Sequence, residues 1–166
     1  MPSPTTMAIN LFLVACYTGQ RFSDLNNINQ SNIIDDEYIA IRQQKTNEQL
    51  TLPLLKVVKT ILVKYSYKLP KISNVKFNEY IKDVAKLCET LNKQYNGDNK
   101  KVRWQMISSN TARRTFVTLN YGKGVDLDTL KLGTGHKQTK TLQTYIKMND
   151  KQKADLLRSK LEPKRK

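Results

Sequence analysis

The sequence predicts an α+β fold that is mainly helical and contains a small antiparallel β-hairpin sheet. Apolar residues recur at helical spacing along most of the chain, whereas between residues 33 and 53 they alternate with polar residues, as in half-buried strands. The chain has 166 residues, of which 39% are hydrophobic, which is enough for one domain with a sizeable core. It contains no internal repeat and no interior linker, so we expect one domain over residues 1–166.

The first predicted helix is strongly apolar. Ser3 suits the N-cap and Pro4 the first helical position, and residues 7–17 are apolar enough to be buried on most sides. Gly19 is expected to end this helix. The segment therefore predicts a central helix around which the core is built.

The alternating segment predicts a β-hairpin. Residues 38–42 and 49–53 have the composition of short strands, and residues 45–48 form the turn between them. Residues 32–34 are a candidate third strand.

Two charged residues near these elements allow more than one interpretation. Arg21 directly follows the first helix and is therefore held on rigid scaffolding, but it is also placed to form an ordinary salt bridge with Asp24. Lys45 is at the tip of the predicted hairpin, where most lysines are only solvated. Neither residue identifies a site by itself.

Two further amphipathic helices are interpreted as scaffold, with no chemistry assigned. One covers residues 54–67 and is closed by Pro70, and the next begins after Ser73. The apolar stripe of the second helix consists of Phe77, Ile81, Val84, Cys88 and Leu91.

The cysteines and the histidine argue against disulfides and zinc. Cys16 and Cys88 both fall on apolar helical faces, so we interpret them as reduced core residues of a cytoplasmic protein. One histidine and two separated cysteines leave no plausible zinc site, and no metal or other cofactor is expected.

The two remaining polar segments are predicted from their composition. Residues 93–103 are polar and basic and are interpreted as a mobile loop that contains Arg103. Trp104 is suited to stacking on a base, although anchoring this loop to the core is the more ordinary role. Residues 151–166 combine a short helical pattern with a basic carboxy-terminal tail.

The charge of the chain predicts an acidic partner. Lys and Arg number 29 against 14 Asp and Glu, which gives a net charge of +15. Such a charge repels itself unless something acidic balances it, so nucleic acid or an anionic membrane surface is expected. No apolar run is long enough to span a bilayer and no signal-peptide pattern is present, so a membrane is not the expected partner.

The segment from residue 108 to residue 145 concentrates reactive side chains. It contains two adjacent arginines (Arg113 and Arg114), the single histidine (His136) and Tyr145 nine residues later. Two glycines within the three residues before the lone histidine suggest that the backbone comes close to another group. Helix signals divide the segment into three helices: Ser109 as a cap with Gly122 and Gly124 as a stop, Asp126 as a cap with Gly133 and Gly135 as a stop, and Thr139 as the start of a helix that carries Tyr145.

This arrangement resembles the tyrosine recombinases, the phage-integrase family. Asn110-Thr-Ala-Arg113 is similar to the family's His-x-x-Arg element, Thr134-Gly-His136 to its Gly-His element, and Tyr145 follows at the family's spacing. Asn110 departs from the pattern because the family usually has histidine there. Upstream, residues 18–25 (TGQRFSDL) match the family's first arginine motif.

The resemblance covers roughly residues 5–155 and implies a tyrosine-recombinase catalytic domain. It also implies that the family's amino-terminal core-binding domain, which clamps DNA, has no room in this chain. The motif details look most like integrases of Bacteroides-type mobile elements. The implied partners are double-stranded DNA, further copies of the protein in a homotetramer on DNA, and accessory DNA-bending proteins, in a bacterial cytoplasm and associated with the nucleoid.

The resemblance also implies which residues act. The catalytic set is Arg21, Lys45, Asn110, Arg113, His136 and Tyr145, supported by Asp24, and the DNA-binding set is Arg103, Arg114, Lys137 and Lys140. The residue types of the catalytic set suit this chemistry, because two arginine side chains can hold the non-bridging oxygens of a phosphodiester without a metal. Tyr145 would be the nucleophile and Lys45 the general acid, and the product would be a 3′-phosphotyrosine linkage.

Two roles and two other functions stay open at this stage. His136 is suited either to accepting the tyrosine proton or to donating a hydrogen bond to a non-bridging oxygen. Asn110 is able to donate a hydrogen bond to phosphate but cannot act as an acid or a base. A type IB topoisomerase would use the same chemistry, and a decayed catalytic domain would bind DNA without cutting it.

Overall fold

The computed structural model describes residues 2–95 and 98–162 and contains eight α-helices and five strands in that part of the chain. The helices and strands, in chain order, are α1 Pro4–Thr18, α2 Phe22–Leu25, β1 Ile33–Ile34, β2 Tyr38–Arg42, β3 Gln49–Pro53, α3 Lys56–Lys64, α4 Asn74–Lys86, β4 Gln94–Tyr95, β5 Asp98–Val102, α5 Ser109–Gly122, α6 Leu127–Thr134, α7 Thr139–Gln143 and α8 Asp150–Leu161. Short 3-10 turns cover Gln30–Asn32, Glu89–Leu91 and Arg103–Met106. The predicted α+β class is confirmed.

The predicted hairpin forms an antiparallel sheet in the order β1-β2-β3. Ile39 pairs with Leu52 and Ile41 with Leu50, and the short strand β1 adds the predicted third strand. Ile39 and Ile41 are buried, so one face of β2 points into the core, as the alternation indicated. The loop after β2 is thereby fixed relative to the helices.

Helix α1 lies at the centre of the larger core. Ser3 caps it by accepting the Thr6 N–H at 3.2 Å. Its buried residues are Ala8, Leu11, Val14, Ala15 and Thr18, and it packs against α3, α4 and α5. Burial on most sides explains why this segment is so uniformly apolar.

The end of α1 depends on a glycine in close contact with α5. Gly19 has a left-handed φ of 67°, and a Cβ placed there would lie 2.5 Å from Cδ1 of Phe116. Glycine is thus required both for the conformation and for the approach of the ring. This approach brings the end of α1 beside the middle of α5.

A smaller core joins the carboxy-terminal helices. Its buried members are Val117, Leu130 and Leu142, one each from α5, α6 and α7. Asp126 caps α6 by accepting the Thr129 N–H at 2.8 Å, as predicted. The cap of α5 is Ser108, one residue before the predicted Ser109.

The structure corrects two sequence predictions in the region after α4. Cys88 is exposed because α4 ends at Lys86, so only the half-buried Cys16, whose pKa burial raises to about 11, resembles a core thiol. Strands β4 and β5 pair antiparallel in the segment where the composition predicts a loop; residues 96 and 97 lie outside the described part of the chain. Trp104 is half-buried beneath the ammonium of Lys86, 4.7 Å from the ring centre, which favours the anchoring role.

The carboxy-terminal segment forms α8, with Asn149 as its cap. The basic tail was predicted to run to residue 166, but residues 163–166 lie outside the described part of the chain. None of the helices that the structure describes is both long enough and apolar enough to cross a membrane.

Candidate active site

Arg113 connects three segments from a buried position on α5. Only 3% of its surface is exposed. Its Nη1 donates to the carbonyl of Gly19 at 2.8 Å, and its Nη2 donates to the carbonyl of Thr134 at 2.5 Å. The guanidinium therefore binds the last turn of α1 and the last turn of α6 together. Burial, and then the nearby charge of Arg21, lower the pKa of Arg113 to about 10, so it remains charged at neutral pH.

Arg21 is half-buried where α2 begins. Its Nη1 donates to Oε1 of Gln43 at 3.1 Å and is 3.8 Å from Oδ2 of Asp24. Asp24 is fully buried, and its Oδ1 accepts the backbone N–H of Gln44 at 2.9 Å. The predicted pairing with Asp24 is therefore present, but at hydrogen-bonding distance Arg21 contacts an amide rather than a carboxylate.

His136 lies beside Arg113, immediately after α6. Its Nδ1 is 2.8 Å from the hydroxyl of Thr134, and that hydroxyl donates to the carbonyl of Leu130 at 2.7 Å. Because the hydroxyl has only one proton, it accepts from Nδ1–H, and we assign the lone pair of the neutral ring to Nε2. Nη2 of Arg113 is 3.4 Å from Nε2 and 3.2 Å from Nδ1.

The surroundings of His136 keep it neutral. Burial is the largest cause and the charges of Arg113 and Arg21 follow, and together they lower the pKa of His136 to about 4. At neutral pH the imidazole is therefore a proton acceptor.

Tyr145 packs its ring against the edge of His136. The ring centres are 5.5 Å apart and the planes are inclined at 73°. Contrary to the sequence prediction, Tyr145 is not within a helix, because α7 ends at Gln143. The Thr118 hydroxyl donates to the backbone carbonyl of Tyr145 at 2.9 Å, which ties this residue to α5.

Lys45 and Asn110 do not contact the other four catalytic candidates in the structure. Lys45 is exposed in the turn between β2 and β3, and Asn110 is exposed on the first turn of α5, three residues before Arg113. Over residues 2–95 and 98–162, neither side chain forms a hydrogen bond or an ion pair in the structure. The structure therefore brings together Arg21, Arg113, His136 and Tyr145. Lys45 and Asn110 remain exposed outside this cluster.

The four predicted DNA-binding residues are all exposed. Arg114 lies 5.8 Å from the ring centre of Tyr145, and Lys137 and Lys140 are close in sequence to His136, before and within α7. Arg103 is in the 3-10 turn after β5. Three of the four thus flank the site in sequence or in space.

Sequence reasoning missed the buried polar residues of the site, Gln20, Gln43 and Thr134. Gln43 continues the inward alternation of Ile39 and Ile41, and an amide at a core position is the signal that would have found it. The cavity of about 820 Å³ between the α5–α6 connection and α8 contains none of the catalytic candidates. Among the described residues, no group of His, Cys, Asp and Glu is arranged to hold a metal ion.

The fold is similar to several solved recombinase structures. XerA recombinase is 19% identical with a TM-score of 0.65, and the match covers 96% of this chain and 64% of that chain. XerH recombinase in a post-cleavage complex with palindromic difH is 14% identical with a TM-score of 0.68, covering 98% and 48%. Lambda integrase (75–356), a dimer bound to a COC′ core site, is 17% identical with a TM-score of 0.61, covering 86% and 52%.

These coverages mean that the chain spans about half to two thirds of the length of those proteins. No curated protein sequence matches it. The family model described as the phage integrase family matches residues 3–152, which is most of the chain. The chain therefore belongs to the phage integrase family.

Proposed function

We propose that this chain is the catalytic domain of a site-specific DNA recombinase that cleaves and rejoins strands through a 3′-phosphotyrosine intermediate. The observation that carries the proposal is the cluster formed by Arg21, Arg113, His136 and Tyr145, which come from separate segments. A tyrosine beside a neutral proton acceptor and two guanidinium groups is suited to attack on an anionic phosphodiester.

The charge of the site supports an anionic substrate. Arg21 is close enough to lower the pKa of Arg113, and both arginines lower the pKa of His136. Asp24 is the one carboxylate among the groups that affect these two pKa values. Arg113 donates to the carbonyls of Gly19 and Thr134, and a hydrogen bond with the Tyr145 side chain also raises its pKa. The N–H donors of the half-buried Arg21 that do not bind Gln43 are available to non-bridging phosphate oxygens.

In the proposed cleavage step, one bond forms, one bond breaks and two protons are transferred. The Tyr145 oxygen forms a bond to phosphorus while the bond from phosphorus to the 5′-oxygen breaks. Nε2 of His136 accepts the tyrosine proton. Lys45, on the exposed hairpin turn, donates a proton to the leaving 5′-oxygen. Rejoining reverses these steps, with a 5′-hydroxyl as the nucleophile. It needs no ATP, because the phosphotyrosine linkage keeps the energy of the phosphoester bond.

Asn110 is proposed to donate a hydrogen bond to a phosphate oxygen. It lies on the same side of α5 as Arg113, one helical turn earlier, and its amide can donate but cannot exchange a proton. The asparagine at a position where the family usually has histidine also supports a second candidate function, a module that binds DNA without cutting it. Cleavage by the unmodified chain distinguishes the two.

We also propose a more specific biological role for this recombinase. The enzyme would integrate or excise a mobile element of the Bacteroides type, on nucleoid DNA, as a homotetramer with accessory DNA-bending proteins. In the longer protein an amino-terminal core-binding domain would clamp the duplex, and Arg103, Arg114, Lys137 and Lys140 would contact phosphates. The net charge of +15 supports binding dominated by the DNA backbone. A type IB topoisomerase would instead relax supercoils without a defined site.

Covalent capture of DNA tests the proposed function. The chain is incubated with a pool of nicked duplexes randomised around the nick, so that the 5′-hydroxyl product diffuses away and the adduct accumulates. Mass spectrometry should find the 3′-phosphate on Tyr145, and Tyr145→Phe should abolish the adduct. Tyr95→Phe is the matched control, because Tyr95 is exposed on the separate hairpin β4–β5. An adduct on another tyrosine would refute the assignment, and no adduct with the unmodified chain would favour the non-cutting module.

Replacement of Lys45 tests the general acid. Lys45→Ala should slow cleavage of ordinary DNA by a factor of about 100 or more, which is the contribution typical of general acid catalysis. A sulfur in place of the 5′-bridging oxygen should restore the rate, because a thiolate leaves without a proton. Lys56→Ala, an exposed lysine on α3, should have no effect with either leaving group. If sulfur fails to rescue Lys45→Ala, Lys45 binds phosphate and is not the acid.

The titration of His136 tests the electrostatics of the site. His136 is the only histidine, so its NMR signals are unambiguous, and they should titrate near pH 4. Arg21→Ala should raise this pKa, because one nearby positive charge is removed while the burial remains. Arg158→Ala, on the exposed helix α8, should leave it unchanged. A value near the ordinary histidine pKa of about 6.5 in the unmodified chain would contradict the assignment of a neutral, buried ring.

A further inference from the structure

Gln43 is a fully buried amide at the end of the inward face of β2. It follows Ile39 and Ile41 at the spacing of a strand, and none of its surface is exposed. A glutamine in a core costs free energy unless all of its polar atoms have partners. The contacts of this side chain therefore need an explanation.

The carboxamide of Gln43 uses its full hydrogen-bonding capacity. Nε2 donates to Oε1 of Gln20 at 2.8 Å and to the carbonyl of Thr134 at 2.9 Å. Oε1 accepts from Nη1 of Arg21 at 3.1 Å and from the hydroxyl of Thr46 at 3.1 Å. A primary amide has two N–H donors and two acceptor lone pairs, so all four positions are occupied.

Each partner belongs to a segment that carries a proposed catalytic group. Arg21 is bound directly, and the hydroxyl next to Lys45 is bound in the hairpin turn. The Thr134 carbonyl lies two residues before His136 and also accepts from Arg113. One neutral side chain thus links the first arginine, the hairpin and the Gly-His segment.

Gly135 shows how closely this amide fits. A Cβ at Gly135 would lie 2.4 Å from Oε1 of Gln43, and the φ of Gly135 is +65°, in the left-handed region. A side chain there would displace the amide as well as strain the backbone. The glycine before the histidine is therefore needed in part to admit Gln43.

We propose that Gln43 is a positioning residue for strand cleavage, which holds Arg21 in place relative to the His136 segment. The inference rests on the proposed function. An amide accepts a hydrogen bond from Arg21 without cancelling its charge, whereas a carboxylate would compete with the phosphate for the guanidinium. This explains why the core at this point contains a neutral amide.

Gln43→Met tests the proposal with a side chain of similar length that cannot bind Arg21. We expect adduct formation on the nicked duplex pool to slow by about 10- to 100-fold, as for a misplaced catalytic group. Gln49→Met, an exposed glutamine at the start of β3, is the matched control and should react at the original rate. Gln43→Glu should also slow the reaction, because its charge neutralises Arg21.

A neutral substrate separates positioning from general damage to the fold. When a methyl group replaces one non-bridging oxygen, the phosphonate has no charge for Arg21 to stabilise. On this substrate, Gln43→Met should form the adduct at a rate within about 3-fold of the unmodified chain. On normal DNA, the double variant Arg21→Ala, Gln43→Met should react only slightly more slowly than Arg21→Ala alone. An equal defect on both substrates would mean that Gln43 only supports the fold, and would overturn the proposal.

The outcomes also separate this proposal from the proposed function. If the unmodified chain forms no adduct, the proposed function fails. If it does, and Gln43→Met reacts as fast as Gln49→Met, only the positioning role fails. A measurement without variants tests the geometry: the side-chain amide hydrogens of Gln43 should exchange with solvent far more slowly than those of Gln49. Equal exchange rates would overturn the proposal even if the variants failed to fold.

Discussion

The buried guanidinium of Arg113 is the interaction on which the rest of the site depends. It donates to the carbonyl of Gly19 at the end of α1 and to the carbonyl of Thr134 at the end of α6, two segments far apart in sequence. A buried charge is costly unless it is hydrogen-bonded, so the two helix ends must stay where they satisfy it. Gly19 and Gly135, both left-handed, give the chain the turns that this geometry requires.

The same burial gives the site its chemical character. Loss of solvent and the charges of Arg113 and Arg21 keep His136 neutral, while Arg113 itself stays ionised. The site thus combines fixed positive charge with an unprotonated imidazole, which is useful for attack on a phosphate anion. A bound phosphate would offset part of the positive charge and raise the pKa of His136, so proton acceptance becomes easier once substrate is present.

Local signals in the sequence predicted most of the fold, and long-range contacts explain the rest. The cap at Ser3, the alternation of the hairpin and the cap at Asp126 depend on neighbouring residues only, and all three are confirmed. The apolar pattern extends the predicted helix to Leu91, five residues beyond the end of α4, and therefore places Cys88 in the core. Strands β4 and β5 are polar, so alternation does not indicate them. The four-way contact of Gln43 is not predictable, because three of its four partners, Gln20, Arg21 and Thr134, come from two distant segments. The roles of Lys45 and Asn110 stay predictions, since neither contacts the cluster.

The free energy of unfolding of Arg113→Lys tests the central claim most directly. Lysine keeps the charge but can reach only one of the two carbonyls, so chemical denaturation should show a loss of about 1.5–3 kcal/mol, the value of one hydrogen bond to a charged group. Arg114→Lys, the exposed neighbour on the same helix, should change stability by less than about 0.5 kcal/mol. If the two variants unfold at the same denaturant concentration, Arg113 does not hold the ends of α1 and α6 together, and the account of the site is wrong.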